Sequence, residues 1–113
     1  MLKKIECYIQ PFKLETLKNA LVEEGIEGMS ISQVEGFGRQ KGFLEDEIPS
    51  ENVKLLPKIK LEIILDDNRV EEVAKLIVGL AHTGKIGSGK IFILPVEDAI
   101  RVRTSESGIC ALI

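Results

Sequence analysis

The chain of 113 residues contains no tryptophan, and aromatics make up only 4% of it. Aliphatic side chains must therefore fill the core. There is one histidine, His82, and there are two cysteines, Cys7 and Cys110. Two thiols so far apart, with a single imidazole, do not make a zinc ligand set. Cys7 alternates with Ile5 and Ile9 and reads as a core residue; Cys110 reads as incidental, with a redox or interaction role as the alternative. No apolar run approaches the length of a membrane span, and no basic stretch leads into an apolar leader segment. The expectation is a cytoplasmic protein that does not insert into a membrane. A net charge of -3 disfavours a general nucleic-acid binder.

The composition that is present is ordinary for one globular domain, 44% hydrophobic and 29% charged. Residues 3–9 place Ile5, Cys7 and Ile9 on one face at period two, a half-buried strand. After Pro11, Leu14, Leu17 and Leu21 follow helical spacing over 13–24, and Gly25 is placed to cap that helix. Residues 28–37 read as a second strand. Residues 57–65 alternate strictly through Ile59, Leu61, Ile63 and Leu65. Asp66, Asp67 and Asn68 offer capping groups to a second helix, whose stripe is Val70, Val73, Ala74, Ile77, Leu80 and Ala81. Residues 91–94 are apolar on both faces and read as a short buried strand. A last short strand is expected around Ile100–Arg103. The order is β-α-β-β-α-β, an α+β, ferredoxin-like arrangement. Two helices cover only one sheet face, yet Ile64 and residues 91–94 put apolar groups on the other, so a homo-oligomer is expected.

Three segments carry candidate chemistry. Residues 83–90 (Thr-Gly-Lys-Ile-Gly-Ser-Gly-Lys) supply glycines that let backbone N–H groups approach an anion and lysines that supply charge. They nearly fit a Walker A loop, but Ile91 stands where its hydroxyl would be, and the segment runs from helix to strand. The remaining readings are a non-Walker phosphate site or a flexible turn. Residues 36–42 (Gly-Phe-Gly-Arg-Gln-Lys-Gly) form a second glycine-rich, basic turn. Arg101 and Arg103 alternate along the expected last strand and point the same way; they suit an anion between them or a salt bridge to Glu97 or Asp98. Residues 43–56 lack periodicity and are long for a link between antiparallel neighbours, which fits a partner-binding loop or a tolerated insertion. No nucleophile with a base stands out. Asp66-Asp67 and Glu71-Glu72 read as helix-terminal charges, and His82 as a solvated helix end.

Taken in order, these segments resemble one family over nearly the whole chain. Ile9-Gln10-Pro11-Phe12-Lys13-Leu14 resembles the N-terminal strand–helix junction of the PII nitrogen-regulatory signalling proteins. Gly36 to Gly42 resembles the opening of their T-loop, and Leu56-Pro57-Lys58-Ile59-Lys60 the strand that closes it. Thr83 to Lys90 with Ile91-Phe92 resembles their B-loop, and Ile100-Arg101-Val102-Arg103-Thr104 their C-loop. The resemblance implies a single domain over 1–113 with a T-loop at 38–56, a B-loop at 83–90 and a C-loop and tail at 101–113. It implies a homotrimer holding ATP or ADP in clefts between subunits. Gly36, Gly38, Arg39 and Gln40 would lie at the T-loop base, Gly28 and Ser30 near ribose or adenine, and Ile63 and Ile64 near the base. Gly87, Gly89 and Lys90 would cradle phosphates, and Arg101 and Arg103 would reach them. Gln40 would help hold Mg2+ with ATP. Lys58, with Gln40 and Gly87, would hold 2-oxoglutarate. The function implied is control of nitrogen-metabolism partners, a transporter or an enzyme, through the T-loop, with no catalysis of its own.

The chain also departs from the family pattern. The loop is one residue short and strongly acidic, and it lacks the uridylylated tyrosine: Tyr8 is the only tyrosine, and Asn52 falls near the expected spot. Uridylylation is not expected. Ser50-Glu51 sits where some relatives carry a phosphorylated serine, and Ser88 replaces an acidic B-loop residue. The alternative is therefore a divergent paralogue that senses adenine nucleotides for another pathway, such as inorganic-carbon or metal transport. Slow ATP hydrolysis at the same site, or a metal-binding trimer of the same fold, are further alternatives that the residues favour less.

Overall fold

The computed structural model describes residues 1–37, 54–84 and 89–112. Strand β1 (Leu2–Ile9) leads through a 3-10 turn (Pro11–Lys13) into helix α1 (Leu14–Glu23). Strands β2 (Ser30–Gly36) and β3 (Leu56–Asp66) follow, then helix α2 (Val70–Ala81) and strand β4 (Gly89–Val96). The sheet is antiparallel throughout, in the order β2-β3-β1-β4. This is the expected ferredoxin-like arrangement.

Period two divides the sheet into two faces. Ile5, Cys7 and Ile9 on β1 lie opposite Ile63, Leu61 and Ile59 on β3. These six side chains are buried under Leu17 and Leu21 of α1 and Val73, Ile77 and Ala81 of α2. Burying each large aliphatic side chain contributes about 1.5–3 kcal/mol, so the two central strands and the two helix stripes dominate the core.

Both helices end through identifiable contacts. Gly25 has φ +92°, and the Gly25 and Ile26 N–H groups donate to the Val22 and Leu21 carbonyls at 3.1 and 3.0 Å. This Schellman turn is open to glycine and costly to other residues. Ile26 then drops into the core. The Arg69 guanidinium donates to the Glu24 carbonyl at 2.7 Å, capping α1 from the start of α2. Asp66 accepts from the Asn68 N–H at 3.5 Å. Glu71 and Glu72 sit in the first turn of α2, where the helix dipole favours negative charge.

Two expectations change. The segment 91–94 is not a short buried strand. It is the middle of an eight-residue edge strand, with Phe92, Ile93 and Leu94 39–50% exposed. Backbone pairing with all of β1 sets its length, and of its apolar side chains Ile91 alone packs against the core. Pro95 is tolerated there because an edge strand need not use every N–H. Nor is there a strand at Ile100–Arg103. Only Ile100 forms a bridge, to Ser107, and the chain turns back at 102–104. Among the described residues no helix is long and apolar enough to cross a membrane.

The face away from the helices is bare, as expected, but its centre is ionic. Lys4 pairs with Glu62 and lies 3.3 Å from Glu6, while Lys60 lies 3.7 Å from Glu62 and 3.9 Å from Glu6. The Tyr8 hydroxyl donates to Glu6 at 3.0 Å, and its ring meets Phe92 edge-on at 6.1 Å. Ile64 and Leu94, in register with Lys4 on either side, flank this grid.

Candidate functional site

The candidate residues sort by the strand end that carries them. Gly36 closes β2 opposite Leu56, and Lys58 lies opposite Val34 on the bare face. Gly89 and Lys90 open β4 opposite Ile9 and Tyr8. These four positions share one end of the sheet. A cleft of about 350 Å³ lies there between the end of α2 and the start of β4, lined by Ile77, Ala81, His82, Gly89, Lys90 and Tyr8 among others. Partial burial pushes the Lys58 ammonium below the ordinary lysine range.

The second group stands at the opposite end. Ser30 opens β2 opposite Glu62, with Gly28 just before it, and Ile64 lies further along β3. Arg101 and Arg103 follow the far end of β4. Ser30 and Gly36 are six strand steps apart, about 20 Å. One chain therefore does not bring all these residues around one small ligand.

The glycines serve different needs. A Cβ at Gly28 or Gly36 would meet nothing within 4 Å, so packing does not call for glycine at either place, and bare backbone is open to a close-lying ligand. Gly89 is different. Its φ is +121°, and a Cβ would fall 1.9 Å from the Tyr8 carbonyl oxygen. The contact between β1 and β4 demands this glycine whether or not a phosphate lies beside it.

Ile63 is 1% exposed and faces the helices. Its side chain belongs to the core, so any part it has in a ligand site falls to its backbone. Ile64 points to the bare face. Arg101 and Arg103 do not share a strand face. Arg103 sits exposed in the turn. Arg101 pairs with Glu106 at 3.0 Å, and not with Glu97 or Asp98; the Asp98 carboxylate instead accepts from the Ala99 and Gly108 N–H groups at 2.8 and 3.0 Å. Gly38, Arg39, Gln40 and Gly87, with Ser50, Asn52, Ser88 and most of the 38–56 loop, lie outside the described residues.

Sequence reasoning missed the ionic grid and the partner of Arg101. The grid had a signal. Lys4 and Glu6 alternate on one strand, and Lys60 and Glu62 on another, both on the faces opposite the apolar series. The Tyr8 hydroxyl and the two lysines hold the Glu6 carboxyl below the usual range; Lys4 above all, with Lys60, does the same for Glu62. Glu62 in turn raises Lys4, and Glu6 raises the Tyr8 phenol.

Comparison with known proteins agrees with this architecture. The family model described as Nitrogen regulatory protein P-II matches residues 2–106. The Nitrogen regulatory protein P-II of Nostoc punctiforme is 55% identical over 106 residues, covering 93% of this chain and 95% of that one. That of Azospirillum brasilense is 49% identical over 108 residues, covering 95% and 96%. The crystal structure of Arabidopsis thaliana PII bound to citrate superposes with a TM-score of 0.80 at 38% identity, covering 98% of this chain and 89% of that one. With its sheet order, its two-helix cover and these matches over most of its length, the chain belongs to the nitrogen regulatory protein P-II family.

Proposed function

We propose that the chain is a homotrimeric sensor that takes ATP or ADP in clefts between subunits and controls a target protein of nitrogen metabolism through the loop at 38–56. One observation carries this reading. Candidate ligand residues at the two ends of β2, Ser30 and Gly36, stand about 20 Å apart within one chain, a separation that a cleft between two copies would close. The bare face with Phe92, Leu94 and Ile64 offers the surface for assembly. In the assembled cleft, Gly36, Gly89 and Lys90 of one copy approach the phosphates, together with Arg101 and Arg103 of the next. Ser30, Gly28 and Ile64 line the nucleoside. The citrate named with the Arabidopsis relative fits a surface that accepts multiply charged anions. Lys58, a cation partly stripped of water, suits a dicarboxylate such as 2-oxoglutarate. Mg2+ would enter with ATP through Gln40, which lies outside the described residues.

The acidic loop without a tyrosine favours a second reading, a paralogue serving another pathway with the same nucleotide site. Calorimetry of ATP and ADP with Mg2+, with and without 2-oxoglutarate, tests both, on the unaltered protein and on Lys90→Ala and Arg101→Ala. Binding weakened at least tenfold by each change supports the nucleotide site; 2-oxoglutarate that tightens ATP binding favours the nitrogen sensor, and indifference to it favours the paralogue. Absence of nucleotide binding overturns both.

A further inference from the structure

Arg101 is already engaged within its own chain. Its Nη1 donates to Glu106 Oε1 at 3.0 Å, and its Nη2 donates to the Cys110 carbonyl oxygen at 2.7 Å. The backbone reinforces this hold. The Arg101 N–H donates to the Glu106 carbonyl at 2.8 Å, the Ser105 N–H to the Arg101 carbonyl at 2.8 Å, and Ile100 bridges Ser107. One guanidinium thus ties down residues 106–110 and the 3-10 turn at Gly108–Leu112, which rests against β3.

We propose that Glu106 sets the affinity of the site by occupying Arg101 as an internal carboxylate, so that an anionic ligand reaching Arg101 competes with it and loosens the segment 106–112. The proposal rests on the reading of Arg101 as a phosphate-contacting residue. A guanidinium shared by a carboxylate and a polyphosphate brings like charges together, and their repulsion opposes simultaneous occupancy. Linkage makes the effect reciprocal: what favours release of the segment favours the ligand by the same factor. Nucleotide occupancy would then be read out at the C-terminal segment as well as at the loop at 38–56.

Glu106→Gln keeps the shape and a hydrogen-bond acceptor while removing the charge. Glu106 is exposed and outside the core, so folding should survive the change. Calorimetry with Mg-ATP should show binding about fivefold tighter than in the unaltered protein, the factor for removing one like charge about 4 Å away under the screening of bulk water. A second readout follows the segment itself. Cys7 is buried, so a maleimide fluorophore attaches at Cys110. Its anisotropy should fall as ATP binds, and should fall at lower ATP concentration in Glu106→Gln. Arg101→Ala should lower the anisotropy without any ATP. Unchanged or weaker ATP binding by Glu106→Gln, or a label that ATP or Arg101→Ala leaves unmoved, overturns the proposal while the nucleotide site stands. Absence of ATP binding to the unaltered protein overturns the nucleotide site and this proposal together.

Discussion

At Gly89 a hydrogen atom is the only substituent that fits. The nearest obstacles to a Cβ are the Tyr8 carbonyl oxygen at 1.9 Å, its carbon at 3.1 Å and the Ile9 Cα at 3.3 Å, all backbone atoms of the paired strand. No rotamer change relieves such a clash, and the backbone φ of +121° adds its own strain. Gly89→Ala should cost at least about 3 kcal/mol and lower the melting temperature by more than about 10 °C. Gly36→Ala, with open space around it, should leave melting within a few tenths of a kcal/mol, or about 1 °C. Thermal unfolding followed by circular dichroism compares the two; equal losses would contradict the packing account. In the sequence alone these glycines looked alike, because a close strand crossing leaves no mark on residue type.

At the scale of elements, period and spacing carried most of the fold. Ile59, Leu61, Ile63 and Leu65 alternate as β3 does, and Leu17 and Leu21, with Val73, Ile77 and Ala81, became the buried helix stripes. Where pattern and pairing disagree, pairing decides. β4 runs from Gly89 because β1 offers it partners as far as Ile9, although its first two residues look like loop. The alternation Ile100-Arg101-Val102-Arg103 imitates a strand, yet Ser105 at φ 62° turns the chain back toward Arg101. No periodic signal announces that turn, or the pairing of Arg101 with a carboxylate five residues on. Because a side chain in this region costs about 1–2 kcal/mol, offset in part by the freedom glycine gains on unfolding, Ser105→Gly should tighten the turn by up to about 1 kcal/mol. Hydrogen exchange at the Arg101 and Ser105 amides measures it. Slower exchange in the variant is expected, and faster exchange would contradict the account of the turn.

For the whole molecule, the ionic grid on the bare sheet face links stability to pH. Glu6 and Glu62 titrate below the ordinary carboxylate range. A group with a lowered folded pKa contributes stability above its unfolded value of about 4.3 and loses it as pH falls through the folded one. Lys4 and Tyr8 are raised, so their contribution is complete below their unfolded values of about 10 and is lost as pH climbs past them. Stability should therefore be level between about pH 5 and 9 and fall on both sides. In Glu62→Gln the drop between about pH 5 and 3 should be shallower. Thermal melts across that range check this; parallel curves for the two proteins would mean that the grid does not set the acid limit.

The proposed ligand site is split between copies. Lys90→Ala removes a residue at one end of the sheet, and Arg101→Ala one at the other. Each variant alone should bind ATP poorly. Unfolded together and refolded as a mixture, they should form trimers in which one cleft pairs the intact Lys90 of one copy with the intact Arg101 of the next. Random assembly puts such clefts at roughly one in four. Calorimetry of the mixture should therefore recover about a quarter of the sites at unaltered affinity. Recovery of none, when each variant assembles normally and the unaltered protein refolded in the same way binds in full, would place both residues in the site of a single chain or outside it, and would contradict the shared cleft.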